Sequence, residues 1–439
     1  MSLRTLLSPP ISAWLLSEQR QASMRLRAER RRQAQGRNHE AMAFIQVDDP
    51  YSVLLAQVLP RLHERFDVNF SVHLVPAPAD AVAPERRLLA AYARRDAAEL
   101  ARLHGLHFED GGRTPDAHQC SQALRHLWLA KPSQANQPAL TQTVAALNAL
   151  WSTPQAYDSV PEMGADLPPE LTAHMHAAQA LRQHLGHYQG AMLYYEGEWY
   201  WGIDRLHHLE RRLIALGASR AGQNPLAPLF SPPADLDQAV NVPHPSTVDF
   251  FFSLRSPYSA IAAPRVTALA RYTGATVRWR YVLPMVMRGL PVPAAKRRYI
   301  AADAAREARW WGIPFGRIND PLGRPTERGL ALMPLAEREG RVAEYVNAFM
   351  HAVWAQGINA GSDKGLRRIT QAAGLNWPEA VTALDDNAWR ATAEANRQAL
   401  SNLGLWGVPS LSVGALNVWG QDRLHWIQDA LLNPTTTPR

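Results

Sequence analysis

The sequence predicts an α/β protein made of two tandem copies of one unit, each a strand–helix–strand core with a helical insertion and a closing strand pair. Three observations carry this expectation. The chain has 439 residues, more than the roughly 250 that a single hydrophobic core absorbs. Self-comparison pairs Pro50-Tyr51-Ser52 with Pro257-Tyr258-Ser259 at an offset of 207, and the same offset aligns "YARRDAAELARLHGLHF" from Tyr92 with "YIAADAAREARWWGIPF" from Tyr299, eight of 17 positions being identical. Short apolar runs alternate with amphipathic helical periodicity in both copies.

The elements follow in order. Residues 1–40 read as a basic helical extension: "MSLRTLLSPPISAWLLSEQRQ" has a short apolar patch broken by Pro9 and Pro10, with no small-residue cleavage site before "RLRAERRRQAQGR". No secretory signal is read there, and the expected location is the cytoplasm. The seven arginines between Arg20 and Arg37 read as a solvated helix face, with neither nucleic acid nor membrane as the expected partner. The first copy, 41–223, opens on strand-like "AMAFIQV", continues through a helix to "VNFSVHLV", and closes on "AMLYYEGEWYWGIDRL". A proline-rich linker is expected over 224–246. The second copy, 247–431, opens on "TVDFFFSL", continues to "ATVRWRYVL", and closes on "PSLSVGALNVWGQDRL", with a helical insertion between; 432–439 is a tail. Strand, helix, strand in that order is a right-handed crossover unit.

Composition narrows the chemistry. A content of 46% hydrophobic residues, with 14 Trp and 19% charged residues, describes a globular, soluble protein, and no apolar run reaches the 18 or more residues of a membrane span. One cysteine, Cys120, excludes an intramolecular disulfide, a CxxC redox pair and a cysteine zinc cluster, and it reads as a buried inert thiol. No P-loop, G-x-G-x-x-G, G-x-S-x-G or HExxH occurs. His184 with His187, and Asp204 with His207, have helical spacing but lack a third ligand, so no metal is expected. The formal charge of +7 suits an anionic small ligand.

In "SLRSPYSAIAAP", Ser256 stands before Pro257 at the start of a helix, and "GVPS" places Val408-Pro409 before a strand. This order resembles the thioredoxin fold of the DsbA type, in which a CxxC motif opens the first long helix and a cis-proline faces it. Ser256 and Ser259 hold both cysteine positions. With "AKRRYIAADAAREARWWGIPF" and "WGQDRL", the second copy resembles, more closely, the kappa-class glutathione transferases and the 2-hydroxychromene-2-carboxylate isomerases. The resemblance implies a glutathione-dependent enzyme acting on an electrophilic, aromatic small molecule, with glutathione's thiolate adding to a conjugated carbon and leaving after bond rotation. It implies roles for Ser256 in stabilising that thiolate, for the Val408 backbone before cis-Pro409 in pairing with the glutathione peptide, for Gln421 and Asp422 in holding the γ-glutamyl group, and for Lys296 in facing the ligand. Ser256 and Asp422 are also ordinary helix-start residues, and Lys296 an ordinary surface charge. Ser253 departs from the family, which has Asp there, as does the loop "MRGLPVP".

The first copy keeps packing positions and loses chemical ones: Asp49 replaces Ser256, Ala191 replaces Pro409 and Leu89 replaces Lys296, while Asp204 matches Asp422. A carboxylate repels a thiolate where a serine hydroxyl donates to it. The first copy is therefore expected to be a degenerate partner, the two forming an intramolecular pseudo-dimer, with further homodimerisation open. A catalytically silent thioredoxin-like scaffold is the competing expectation. Fold alone would suggest a disulfide oxidoreductase, for which the chain has no dithiol.

Overall fold

A computed structural model describes residues 3–80, 82–108, 110–129, 136–152, 167–220, 227–242, 246–290 and 292–433. Parts of the expected linker (224–226 and 243–245), part of the tail (434–439) and Pro291 of "MRGLPVP" lie outside the described residues. Among the described residues the chain is mixed α/β with two four-stranded sheets. It divides into two compact units, Ala22–Pro232 and Met1–Gln21 with Pro233–Arg439. Among the described residues no helix is long and apolar enough to cross a membrane.

In the first unit, β1 (Glu40–Ile45), β2 (Asn69–Leu74), β3 (Met192–Tyr195) and β4 (Glu198–Trp201) lie in the order β2-β1-β3-β4. β1 pairs parallel with β2 and antiparallel with β3. In the second, β5 (Thr247–Phe252), β6 (Thr276–Tyr281), β7 (Ser410–Val413) and β8 (Leu416–Trp419) take the order β6-β5-β7-β8 with the same pairing senses. The parallel pair in each needs a crossover, supplied by the helices Pro50–Arg65 and Pro257–Thr273. β5 is central and covered on both faces, which is why Phe250, Phe251 and Phe252 are consecutive and all buried.

The repeated Pro-Tyr-Ser has one structural use in both units. Proline starts the helix, where its missing N–H costs nothing. The tyrosine hydroxyl donates to an aspartate 45 residues on: Tyr51 to Asp96 at 2.8 Å, Tyr258 to Asp303 at 2.7 Å. The serine hydroxyl accepts from the chain leaving the first strand, at Gln46 N (3.1 Å) and Ser253 N (3.4 Å).

The amino-terminal segment, expected as one extension, divides between the units. Its first helix, Leu3–Leu15, belongs with the second unit, where Ser12 Oγ accepts from Ile318 N at 2.8 Å and Arg309 donates to Leu16 O and Gln21 Oε1 at 3.0 and 2.6 Å. The next helix, Glu18–Ala34, has no buried residue. Arg25 makes a bidentate pair with Glu198 at 2.7 Å, and Arg37 reaches Glu196 at 2.8 Å.

Helical periodicity over "PLAEREGRVAEYVNAFMHAVWAQG" resolves into Met333–Arg338 and Val342–Trp354, separated at Gly340, whose φ is +64°. Close approach fixes another glycine: a Cβ on Gly329 would lie 2.5 Å from the Phe349 ring and 2.6 Å from Leu254 Cδ1.

On one face of the first sheet, His73 stacks on Phe44 and lies parallel to His174, with ring centroids 6.5 Å apart. Desolvation, then the nearby His174, depresses His73 to about 4 from 6.5. The unfolded chain binds that proton more tightly, so acid destabilises the fold as pH falls from 6.5 towards 4, by about 1.4 kcal/mol per pH unit at most, and the group contributes no penalty above 6.5. Urea midpoints of the wild type should drop more steeply across this window than those of His73→Phe. Parallel pH profiles would assign the acid sensitivity to other groups.

Candidate functional site

The site is built where β5 ends. Ser253 O accepts from Ser256 N at 2.9 Å, turning the chain into the helix Pro257–Thr273. Ser256 has extended backbone, and its Oγ accepts from Ser259 N at 3.1 Å, so it is the N-cap. The same hydroxyl donates to Val408 O at 3.3 Å, well beyond the roughly 2.7–2.8 Å of an ordinary O–H···O bond. Its hydrogen is therefore weakly held, at the positive end of a helix dipole. The Val408–Pro409 peptide is cis. Ser256 is half-buried, and so is Val408.

A second tie brings the other residues in. Gly420 N donates to Pro409 O at 2.9 Å, linking the cis-proline loop to the 3₁₀ turn Gln421–Arg423. The Gln421 side chain is 1% exposed and fully engaged within the protein. Its Nε2 donates to Glu307 Oε2 at 2.9 Å and to Asp422 Oδ1, while its Oε1 accepts from Arg265 Nη1, which also donates to Gln421 O at 3.0 Å. Arg265 in turn pairs with Asp235 at 2.6 and 2.8 Å and stacks 3.6 Å over Trp311. Asp422, half-buried, thus rests on a buried network running to the helix that Ser256 caps.

The structure brings Ser256, Val408, Pro409, Gln421 and Asp422 into one connected set. Lys296 lies in the first turn of the helix Ala294–Trp310; desolvation lowers its pKa, which makes its ammonium more ready to lose a proton or gain an anion. Arg255 does not point a free charge at the site, because Asp320 holds it bidentately at 2.7 and 2.8 Å. Trp311 is occupied by Arg265 and packs beside Ile261, Tyr258 and Phe315; Phe315 stacks on Trp354 at 5.7 Å. Sequence reasoning missed Arg265, Glu307 and Asp320. A signal was present only for Asp320, as an acidic residue in the loop after "WWGIPF".

The equivalent place in the first unit differs chemically. Asp49 caps the helix Pro50–Arg65, accepting from Tyr51 N at 3.2 Å and from the Ser52 hydroxyl at 2.9 Å. Burial raises its carboxyl to about 7 against these hydrogen bonds, so a good part of it is neutral at physiological pH. Ala191, at the proline's position, has φ +49° and donates its N–H to Ser52 Oγ at 3.0 Å. The Gly202 N to Ala191 O bond, 2.7 Å, matches Gly420 to Pro409. Cys120 is half-buried, its thiol pushed up to about 12 by desolvation and by Asp48 and Asp116, an unreactive state.

Residues 247–432 match the DSBA-like thioredoxin domain family. The carboxy-terminal half has the DsbA-type thioredoxin fold. A 2-hydroxychromene-2-carboxylate isomerase of Pseudomonas putida is 27% identical over 192 residues, 42% of this chain and 93% of that protein. Glutathione S-transferase kappa 1 of Caenorhabditis elegans is 26% identical over 213 residues, 44% of this chain and 93% of that protein. A solved structure of a 2-hydroxychromene-2-carboxylate isomerase superposes with a TM-score of 0.37 at 27% identity, over 42% of this chain and 94% of its own.

Proposed function

We propose that the carboxy-terminal unit is a glutathione-dependent isomerase or transferase acting on an electrophilic aromatic molecule, and that the chain is a tandem repeat whose first copy has lost its chemistry. The observation that carries this is the weakly committed Ser256 hydroxyl at a helix N-terminus beside cis Val408–Pro409, tied through Gly420 to the turn bearing Asp422. That donor set fits glutathione: a hydroxyl and helix start for the thiolate, the Val408 backbone before Pro409 for the peptide, a carboxylate for the γ-glutamyl amine. When bound, glutathione supplies the sulfur nucleophile. The Ser256 hydroxyl turns from Val408 O to donate to that sulfur and lowers its proton affinity. Asp422 orients the γ-glutamyl end, and Gln421, enclosed by Arg265 and Glu307, acts as the positioning residue that holds the Asp422 turn. Lys296, its charge made costly by desolvation, favours an anionic group on the substrate. Asp49 in the first copy has a buried carboxyl at the position of Ser256, raised to about 7, and the part of it that ionises repels a thiolate. The location we propose is the cytoplasm, where reduced glutathione is abundant.

The competing reading, a silent scaffold, is favoured by one observation: Ser256 Oγ already serves as an N-cap. Calorimetric titration with reduced glutathione separates the two. One site per chain of micromolar to low-millimolar affinity is expected, weakened about tenfold or more by Asp422→Ala, which removes a charged hydrogen-bond partner, and unchanged by Asp204→Ala. Absence of binding, or equal weakening by both variants, would leave the scaffold.

A further inference from the structure

A cavity of about 300 Å³ lies in the second unit, lined by Arg317, Asn319, Ser362, Lys364, Arg368 and the turn 356–359, and closed on one side by Pro9. It shares no lining residue with the set around Ser256. Three cations from two separate segments, all exposed at the rim, line it, and no carboxylate does. Several arginines of this unit are paired: Arg255 with Asp320, Arg265 with Asp235, Arg280 with Asp249, Arg306 with Asp303, Arg390 with Glu327. Arg317, Lys364 and Arg368 have no such partner among the described residues, and the carboxylates nearest to them in sequence are taken, Asp320 by Arg255 and Asp363 by Arg328. Lys364 and Arg368 stand one turn apart on the helix Asp363–Ala372, so their like charges face the same side.

Convergent cations repel one another unless an anion joins them, and the volume is at the small end of ligand-sized clefts. The concave wall is built: Pro9 meets the position of a Cβ on Gly357 at 2.5 Å, and Asn319, 7% exposed, donates from Nδ2 to Gly357 O at 3.3 Å. We propose that this cavity binds a small, multiply charged oxyanion, a phosphate ester or a polycarboxylate, gripped by Arg317, Lys364 and Arg368.

The test is calorimetry of the full chain at low salt, with inorganic pyrophosphate in one arm and citrate in the other. Saturable binding of one anion per chain is expected, and the arm that binds more tightly assigns the headgroup. Lys364→Ala and Arg368→Ala should each weaken it about fivefold or more, as loss of a close charge does. Arg367→Ala, which removes the same charge from the same helix outside the cavity, should leave it within about twofold. Binding in neither arm, or equal weakening by Arg367→Ala, overturns the proposal.

Discussion

Ser256→Asp is expected to abolish glutathione-dependent turnover of a general electrophile such as chlorodinitrobenzene while leaving the fold as stable as the wild type. Aspartate is as good an N-cap as serine, so the bond from Ser259 N survives. Its carboxylate, however, repels a thiolate at the position where the hydroxyl donates. Ser256→Ala isolates the donor in a different way: it should lower kcat/KM by about 10²–10³-fold, the usual loss for one preorganised donor to a developing anion, and destabilise the unit by about 1 kcal/mol through the lost cap. Thiolate absorbance of the bound tripeptide should disappear in both variants. Turnover retained in either would show that the hydroxyl is only a cap.

The largest stability effect is expected at Asp303. Its buried carboxylate accepts from the Tyr258 hydroxyl at 2.7 Å and from Arg306 Nη2 at 2.6 Å, and Arg306 is only 7% exposed. Asp303→Ala removes the carboxylate partner of a buried cation, which costs about 3–5 kcal/mol. Tyr258→Phe removes one hydrogen bond and should cost only about 1 kcal/mol. The first unit provides the internal comparison: Asp96 accepts from two tyrosines, Tyr51 and Tyr92, both at 2.8 Å. Asp96→Ala should therefore cost about 1–3 kcal/mol, the price of orphaned neutral donors. Urea unfolding of the four variants measures the ranking; a cost for Asp96→Ala equal to that for Asp303→Ala would mean that the ion pair adds nothing.

Those aspartates were legible in the sequence as repeat positions, because the tie between tyrosine and aspartate spans the same 45 residues in both units. Strand positions were legible too: "TVDFFFSL" becomes β5 and "ATVRWRYVL" becomes β6, since apolar runs flanked by turns carry a local signal. The partners of Gln421 were not. Arg265 and Glu307 are 156 and 114 residues away, and no local periodicity encodes which buried polar group meets which. Gln421 was expected to face a ligand; its amide is instead consumed by the protein. The setting of Arg255 was equally unreadable, because its bidentate partner Asp320 sits 65 residues further along the chain. The division of the amino-terminal segment was equally hidden: nothing in "PPISAWLLSEQ" announces that its hydroxyl and carbonyl groups are wanted by Ile318 and Arg309.

The enclosure of Gln421 has a thermodynamic consequence. An acidic anchor on a loose surface loop must be frozen by each ligand that arrives, at about 0.5–1.5 kcal/mol for every rotamer-rich side chain immobilised. Here the buried contacts of Gln421 with Arg265 and Glu307, and the Gly420 tie to Pro409, order the turn when the chain folds. A ligand that reaches Asp422 meets a partner whose disorder has already been removed. Association there should show a small entropic penalty and little change in hydrogen exchange of the turn, and Gln421→Ala should transfer that ordering from folding to binding.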